Sequence, residues 1–413
     1  MSNTVSFTSE GRVQIVKVFG MKIRGDVGDG FCQFHAREKG DLTMYRSFVV
    51  RNFRCFQELE LKDLARVNLI VGANNAGKTA LLEALFLHCG TYNPELALRL
   101  NAFRGIETLK VEWGWWAETP WDSLFYQFDT AKTIELIGED TATGRRSLRL
   151  KVLRELNELA RVVQVIRGKP IDAQRAVDLR ESLKTPLASE MVKVLQLECQ
   201  QNEHHSSHYL VLDPAGVHVV PIPPSPPFPA FFLGARMRMP FREEAERFGR
   251  LELEGKQDKV LEVLKLIEPN LRRLTVVVVG GEPMLHGDIG IDRLMPLPVM
   301  GEGMVRLASL VTHIGNAANG VVLVDEIENG LHYSILLKVW RVIGKVAQQF
   351  NTQIFATTHS LECIVAAHRA FSESEDYDFR LHRLERVDKE TICAVTYDQK
   401  TLDAAIETGL EVR

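Results

Sequence analysis

The chain has 413 residues, 45% hydrophobic and 25% charged, with a formal net charge of −4. That is the composition of a soluble globular protein, long enough for one large domain or two ordinary ones. It is no polycation built for nucleic acid, so any DNA contact must be local. No stretch approaches the ~18 to 20 uninterrupted apolar residues of a membrane helix, and Met1–Gly20 lacks the basic-then-apolar layout of a secretory signal. The six cysteines (32, 55, 89, 199, 363 and 393) contain no Cys-x-x-Cys pair, which argues against a disulfide framework or zinc finger and suits a reducing cytoplasm.

In chain order, residues 1–43 are polar and weakly patterned, and Met44 stands directly before the first clear strand pattern. Translation from Met44, or a dispensable leader, is the expectation for this segment. Phe48–Phe53 and Glu58–Leu61 read as adjacent strands. Arg66–Val71 is a short apolar run of the buried-strand kind, followed at once by a Gly-rich turn. Thr79–His88 is rich in helix formers and closes on Gly90. Trp113, Trp115, Trp116 and Trp121 cluster at a packed core edge or interface, with no chemistry assigned.

From Arg145 to Lys184 there are eleven Lys/Arg against five Asp/Glu; a solvated face is the first reading and a nucleic-acid contact the second. Leu148, Leu150 and Val152 alternate as a strand. Tyr209–Leu212 and Val217–Val220 form a hairpin, and Pro221–Pro229 forces an extended spacer. Helical pattern returns at Arg242–Arg250 and Lys256–Leu266, then strands at Thr275–Val279, Val321–Leu323 and Ile354–Ala356. The last two end in polar residues, where an open α/β sheet places its chemistry.

Gly72-Ala73-Asn74-Asn75-Ala76-Gly77-Lys78-Thr79 matches G-x-x-x-x-G-K-[ST] between a predicted strand and helix. Glycines let backbone N–H groups turn inward around phosphates, aided by the positive end of the following helix. Lys78 then places a charge on the β/γ-phosphates of ATP, and the Thr79 hydroxyl ligates Mg²⁺. Val321–Val324 ends in Asp325 and Glu326, two carboxylates at a buried strand end, which is costly unless they hold a cation or a polarised water. Asp325 is the expected Mg²⁺ ligand and Glu326 the base for the attacking water. His359, in Thr357-Thr358-His359-Ser360 after the next strand, is placed to sense the γ-phosphate.

These residues resemble a family. GANNAGKT, VLVDEIENGLH and ATTHS, in that order and with a large insertion between the first two, look like the ABC/SMC-like ATPases, in particular the ATPase domain of the overcoming-lysogenisation-defect group. The opening FVVRNFRCF is similar to the start of such heads. The resemblance implies a P-loop ABC-type α/β head with a mixed sheet, an antiparallel β subdomain and a helical subdomain. It divides the chain into a leader (1–43), a first ATPase lobe (44–140), an inserted β/helical region (141–240), a second lobe (241–370) and closing strands and helix (371–413). In the family two heads sandwich ATP, and a signature loop of one caps nucleotide on the other.

Met300–Arg306 lies where that signature belongs, so Gly301 and Gly303 are its expected nucleotide contacts. The family usually has serine where Gly301 stands, which leaves backbone N–H groups and a helix N-terminus for the γ-phosphate and weakens the expected ATP-driven dimerisation. Glu328–His332 matches a loop at the family's dimer interface. Gln127 is the candidate for the Mg²⁺-sensing glutamine. Relatives with nuclease activity carry a Toprim domain, whereas 54 residues follow His359 here, and Asp376-Tyr377-Asp378 reads as a solvated acidic loop. Cys199, His204, His205 and His208 can be drawn as a metal site, but their crowding in a polar stretch reads as exposed residues.

The expected function is ATP hydrolysis by a cytoplasmic head that forms a homodimer or higher oligomer on ATP and regulates a separate effector protein in DNA maintenance or antiviral defence, with DNA a candidate partner. A transporter's nucleotide-binding subunit and a nucleotide-gated scaffold with negligible turnover stay open as alternatives. A GTPase is disfavoured by the lack of an N-K-x-D motif.

Overall fold

The protein's structure is a computed structural model that describes residues 13–17, 44–104, 108–112, 118–141, 144–155, 158–159, 162, 192–213, 216–235 and 240–413. Trp113, Trp115, Trp116 and residues 163–184 of the basic run lie outside them.

The strands, in order, are β1 (Val13–Lys17), β2 (Tyr45–Phe53), β3 (Phe56–Leu61), β4 (Val67–Gly72), β5 (Thr108–Glu112), β6 (Ile134–Asp140), β7 (Gly144–Leu153), β8 (Lys193–Gln201), β9 (His204–Asp213), β10 (Gly216–Val220), β11 (Ala230–Leu233), β12 (Arg273–Val279), β13 (Glu282–Asp288), β14 (Met295–Pro296), β15 (Val321–Val324), β16 (Gln353–Thr357), β17 (Phe379–Arg386) and β18 (Ile392–Tyr397). The helices are α1 (Lys78–Cys89), α2 (Leu96–Phe103), α3 (Phe241–Leu253), α4 (Gln257–Leu264), α5 (Glu302–Asn316), α6 (Leu336–Phe350), α7 (Leu361–Ser372) and α8 (Gln399–Glu407).

Two large sheets organise them. A seven-stranded sheet runs β10-β9-β8-β7-β6-β2-β3, antiparallel throughout. A six-stranded mixed sheet runs β11-β15-β16-β4-β17-β18, parallel except for the final hairpin. Smaller sheets pair β1 with β5 and join β12-β13-β14.

Helix α1 lies between the two large sheets, touching β2 and β6 on one side and β4, β11, β15 and β16 on the other. This explains its sequence. TALLEALFLH has no polar stripe, because Leu81, Leu82, Ala84, Leu85 and Leu87 are all buried, each leucine contributing roughly 1.5–3 kcal/mol by burial. Phe48, Leu136, Leu148 and Leu197 from the antiparallel sheet and Leu323 and Phe355 from the mixed sheet complete this core. A second core lies on the other face of the mixed sheet, where Val67, Leu69, Val322 and Val324 meet α3, α5, α6 and α7. The central strands β4, β15 and β16 are buried on both faces, as parallel strands under two layers must be.

Several local readings change on folding. Cys199, His204, His205 and His208 all lie on β8 and β9 rather than in a polar loop: Cys199 and His208 are buried, while His204 and His205 are exposed at the start of β9. Arg146, counted in the solvated basic run, faces inward and is fully buried, donating to the Tyr45 hydroxyl at 2.8 Å. In the acidic loop, Asp378 accepts from both the backbone N and Nε of Arg66, at 2.8 and 3.0 Å, so it anchors the entry to β4. Trp121 is fully buried, as a packed core edge requires.

Candidate nucleotide site

The site forms at the C-terminal ends of three adjacent strands, β4, β16 and β15. Chain order jumps across this edge, because the strand after the phosphate loop in sequence does not lie next to it in space. That is where an open α/β sheet leaves a crevice.

The loop after β4 turns on two left-handed glycines, Gly72 (φ 139°) and Gly77 (φ 93°). A Cβ on Gly72 would lie 2.4 Å from the Leu384 carbonyl oxygen, and one on Gly77 2.6 Å from the Phe56 ring. Glycine is therefore required for both conformation and space. Gly77 caps α1, whose first N–H groups face the loop. Lys78 is buried and folds its ammonium onto the Gly72 and Ala73 carbonyls at 2.7 and 3.0 Å. Burial pushes it below the usual lysine range, against the pull of Asp325, Glu326 and Glu328.

The Thr79 hydroxyl reaches both carboxylate oxygens of Asp325, at 3.1 and 3.0 Å. Thr357, at the end of the intervening strand β16, donates its hydroxyl to Asp325 Oδ1 at 2.7 Å and accepts from Glu326 N at 2.8 Å. Asp325 is buried, and desolvation raises its carboxyl above the ordinary aspartate range despite these donors. A buried carboxylate beside a hydroxyl is a hard-oxygen donor set, and a cation there offsets the cost of keeping it ionised.

Glu326 takes a left-handed φ of 49°, rare outside glycine. Its Oε2 accepts from Asn329 Nδ2 at 2.7 Å, and the Arg306 guanidinium donates to the Asp325 and Glu326 carbonyls at 2.7 and 3.5 Å. The exposed His359 follows β16, and its backbone N donates to Glu328 Oε1 at 2.9 Å.

The fold thus brings together Gly72–Thr79, Asp325 and Glu326, with His359 on the adjoining loop. Gly301 and Gly303 begin α5, and a Cβ on Gly303 would lie 2.6 Å from the Gly330 carbonyl of the Glu328–His332 loop. Gln127 is exposed and bonds its own neighbour, the Tyr126 hydroxyl, at 3.2 Å. Sequence reasoning gave no role to Thr357, Arg306, Asn329 or Arg386, whose Nη2 donates to the Asn75 carbonyl at 3.2 Å. Thr357 carried a signal, a hydroxyl at the end of a buried strand. Arg386 had none, since its strand meets the loop only in three dimensions.

A phosphate loop packed against a strand ending in paired acids, on a mixed sheet backed by an antiparallel one, is the arrangement of a P-loop ATPase. Residues 44–136 match the family described as AAA ATPase domain, and residues 203–364 the family "AAA domain, putative AbiEii toxin, Type IV TA system". The chain is 22% identical over 361 residues to an ATP/GTP phosphatase of Helicobacter pylori (strain ATCC 700392 / 26695), covering 80% of this chain and 90% of that protein. It is 32% identical over 144 residues to the DNA replication and repair protein RecF of Desulforudis audaxviator (strain MP104C), covering 34% and 32% respectively. Among solved structures, the SmcHead bound to the C-winged helix domain of ScpA aligns with a TM-score of 0.46 at 12% identity, over 88% of this chain and 99% of that one. Among the described residues no helix is long and apolar enough to cross a membrane.

Proposed function

We propose that Gly72–Thr79 cradle the phosphates of ATP, that Lys78 neutralises charge on the β- and γ-phosphates, and that Glu326 takes a proton from the attacking water. The observation carrying this reading is the Thr79–Asp325–Thr357–Glu326 chain of hydrogen bonds, which sets a phosphate-loop hydroxyl, a buried acid and a second acid at one strand edge. Thr79 and Asp325 are the residues that would hold Mg²⁺, which when bound supplies charge neutralisation to the phosphates. Asn329 orients the Glu326 carboxylate, and His359 is suited to the γ-phosphate from the neighbouring loop.

The reading extends to assembly. Gly301 begins α5 with open space at its α-carbon among the described residues, and a second head docking there, in a nucleotide-dependent homodimer, would complete the site. ATP turnover does useful work when its two states differ in affinity for something else. We assign that role to a separate effector, in DNA maintenance or antiviral defence and in the cytoplasm. The similarity of segments to RecF and to the family described with a type IV toxin–antitoxin system supports this direction.

Phosphate release by Glu326→Gln tests the reading. The amide keeps the shape but cannot accept the proton, so turnover is expected to fall by ~10²- to 10⁴-fold with ATP still bound, whereas Lys78→Ala loses nucleotide binding itself. Unchanged release by Glu326→Gln would remove Glu326 from this role.

A further inference from the structure

The backbone at Glu326 is held in a conformation it would not choose. A left-handed φ at a non-glycine residue is strained and persists only where its surroundings over-determine it. Three groups do so. Thr357 Oγ1 accepts from the Glu326 N–H, Asn329 holds the carboxylate, and the Arg306 guanidinium holds the carbonyls on both sides of the residue's N–Cα bond. The first two belong to β16 and to the loop after β15, the nucleotide lobe itself. Arg306 comes from α5, the helix that begins at Gly301.

Arg306 is also a clip between elements. Its Nη1 donates to the Gly234 carbonyl at 3.1 Å, at the end of β11, while Nη2 donates to the end of β15. The guanidinium is largely withdrawn from water, which lowers its pKa against the opposing pull of Asp325, Glu326, Glu328 and Glu302. One turn earlier, Gly303 packs so closely on Gly330 that the start of α5 and the loop after Glu326 cannot shift independently. A rotation of α5 therefore reaches Glu326 by two routes, one steric and one through hydrogen bonds of a rigid planar fork.

We propose that Arg306 is a positioning residue, which makes the placement of the Glu326 carboxylate depend on the position of α5 and so on whatever seats against Gly301. The inference rests on Glu326 being the base. It requires no change in how the phosphate loop binds nucleotide. Lysine at position 306 keeps the charge but not the fork, and serves one carbonyl where arginine serves three.

The test uses the full chain with Arg306→Lys, Arg306→Gln, Glu326→Gln and the double variant Arg306→Lys/Glu326→Gln. Melting temperature, binding of a fluorescent ADP analogue and single-turnover cleavage of radiolabelled ATP are measured for each. The expected result is a roughly 10- to 100-fold loss of turnover in both Arg306 variants, greater for glutamine, with ADP affinity held within about threefold. In the Glu326→Gln background, Arg306→Lys is expected to remove nothing more from the residual rate, because its effect runs through Glu326. Wild-type turnover in Arg306→Lys overturns the proposal. So does an equal fold-loss in the Glu326→Gln background, which marks a general structural role. If Arg306→Gln melts early, Arg306→Lys carries the test. Undiminished turnover by Glu326→Gln alone would instead bring down the assignment of the base.

Discussion

Two glycine loops in this protein stand in opposite conditions. The phosphate loop is closed in by its own fold, since Gly72 abuts the Leu384 carbonyl and Gly77 abuts Phe56 and Cys55, with no room for a methyl group at either. The loop at Gly301 has a comparable left-handed φ, 113°, yet among the described residues a Cβ there would meet nothing within 4 Å. One loop is shaped by what surrounds it inside the chain, and the other is shaped with its outer side left free. The difference teaches where this molecule is finished and where it is not. On the reading proposed above, the phosphate loop is complete within the chain, whereas Gly301 acts on something docked from outside.

The largest expected effect tests that contrast directly. Gly72→Ala drives a methyl group into backbone, so fluorescent-ADP binding should be abolished and the melting temperature should drop. Gly301→Ala has space and suffers only the conformational cost, about 1–3 kcal/mol, and should leave ADP affinity within about threefold. Equal loss of ADP binding in the two variants would break the comparison.

A smaller effect sharpens it at the centre of the site. Thr357→Val keeps the volume but strips a donor from Asp325 and an acceptor from the Glu326 N–H. Leaving buried polar groups unpaired costs roughly 1–3 kcal/mol, so turnover should fall about tenfold, with Thr357→Ser restoring most of it. Wild-type kcat in Thr357→Val would show that the hydroxyl does not organise the acids.

A last effect, read on stability rather than on turnover, concerns the foundations of the two loops. His382 packs behind β4 against Asn68, and His313 lies in α5; burial pushes both down to about 3. Both are neutral in the folded protein, while the unfolded chain takes up protons near pH 6.5. Their contribution is fully retained above that pH and is lost as pH falls from 6.5 toward 3, on the order of 1 kcal/mol per pH unit for each histidine. Melting temperature should therefore decline between pH 7 and 5, less steeply in His313→Gln and in His382→Gln. A flat profile over that window in the wild-type protein would contradict it.

The sequence by itself determined what depends on neighbours along the chain. The strand–loop–helix order around Gly72–Thr79 was legible, as were the paired acids after Val321–Val324 and the hairpin at Asp213–Gly216, because spacing, glycine and apolar runs act over a few residues. It misjudged Arg146, Cys199 and His208, whose inward direction is set by which face of the antiparallel sheet α1 covers. Tertiary structure alone decided that β16 intervenes between β4 and β15, which puts Thr357 between Thr79 and Glu326. It also decided that Arg306, twenty residues before Glu326, closes onto that residue's carbonyl, and that Arg386 reaches Asn75. The physical reason is that hydrogen bonds to backbone carbonyls leave no mark in composition or periodicity. Any residue supplies the carbonyl, and only the packed fold says which arginine meets it.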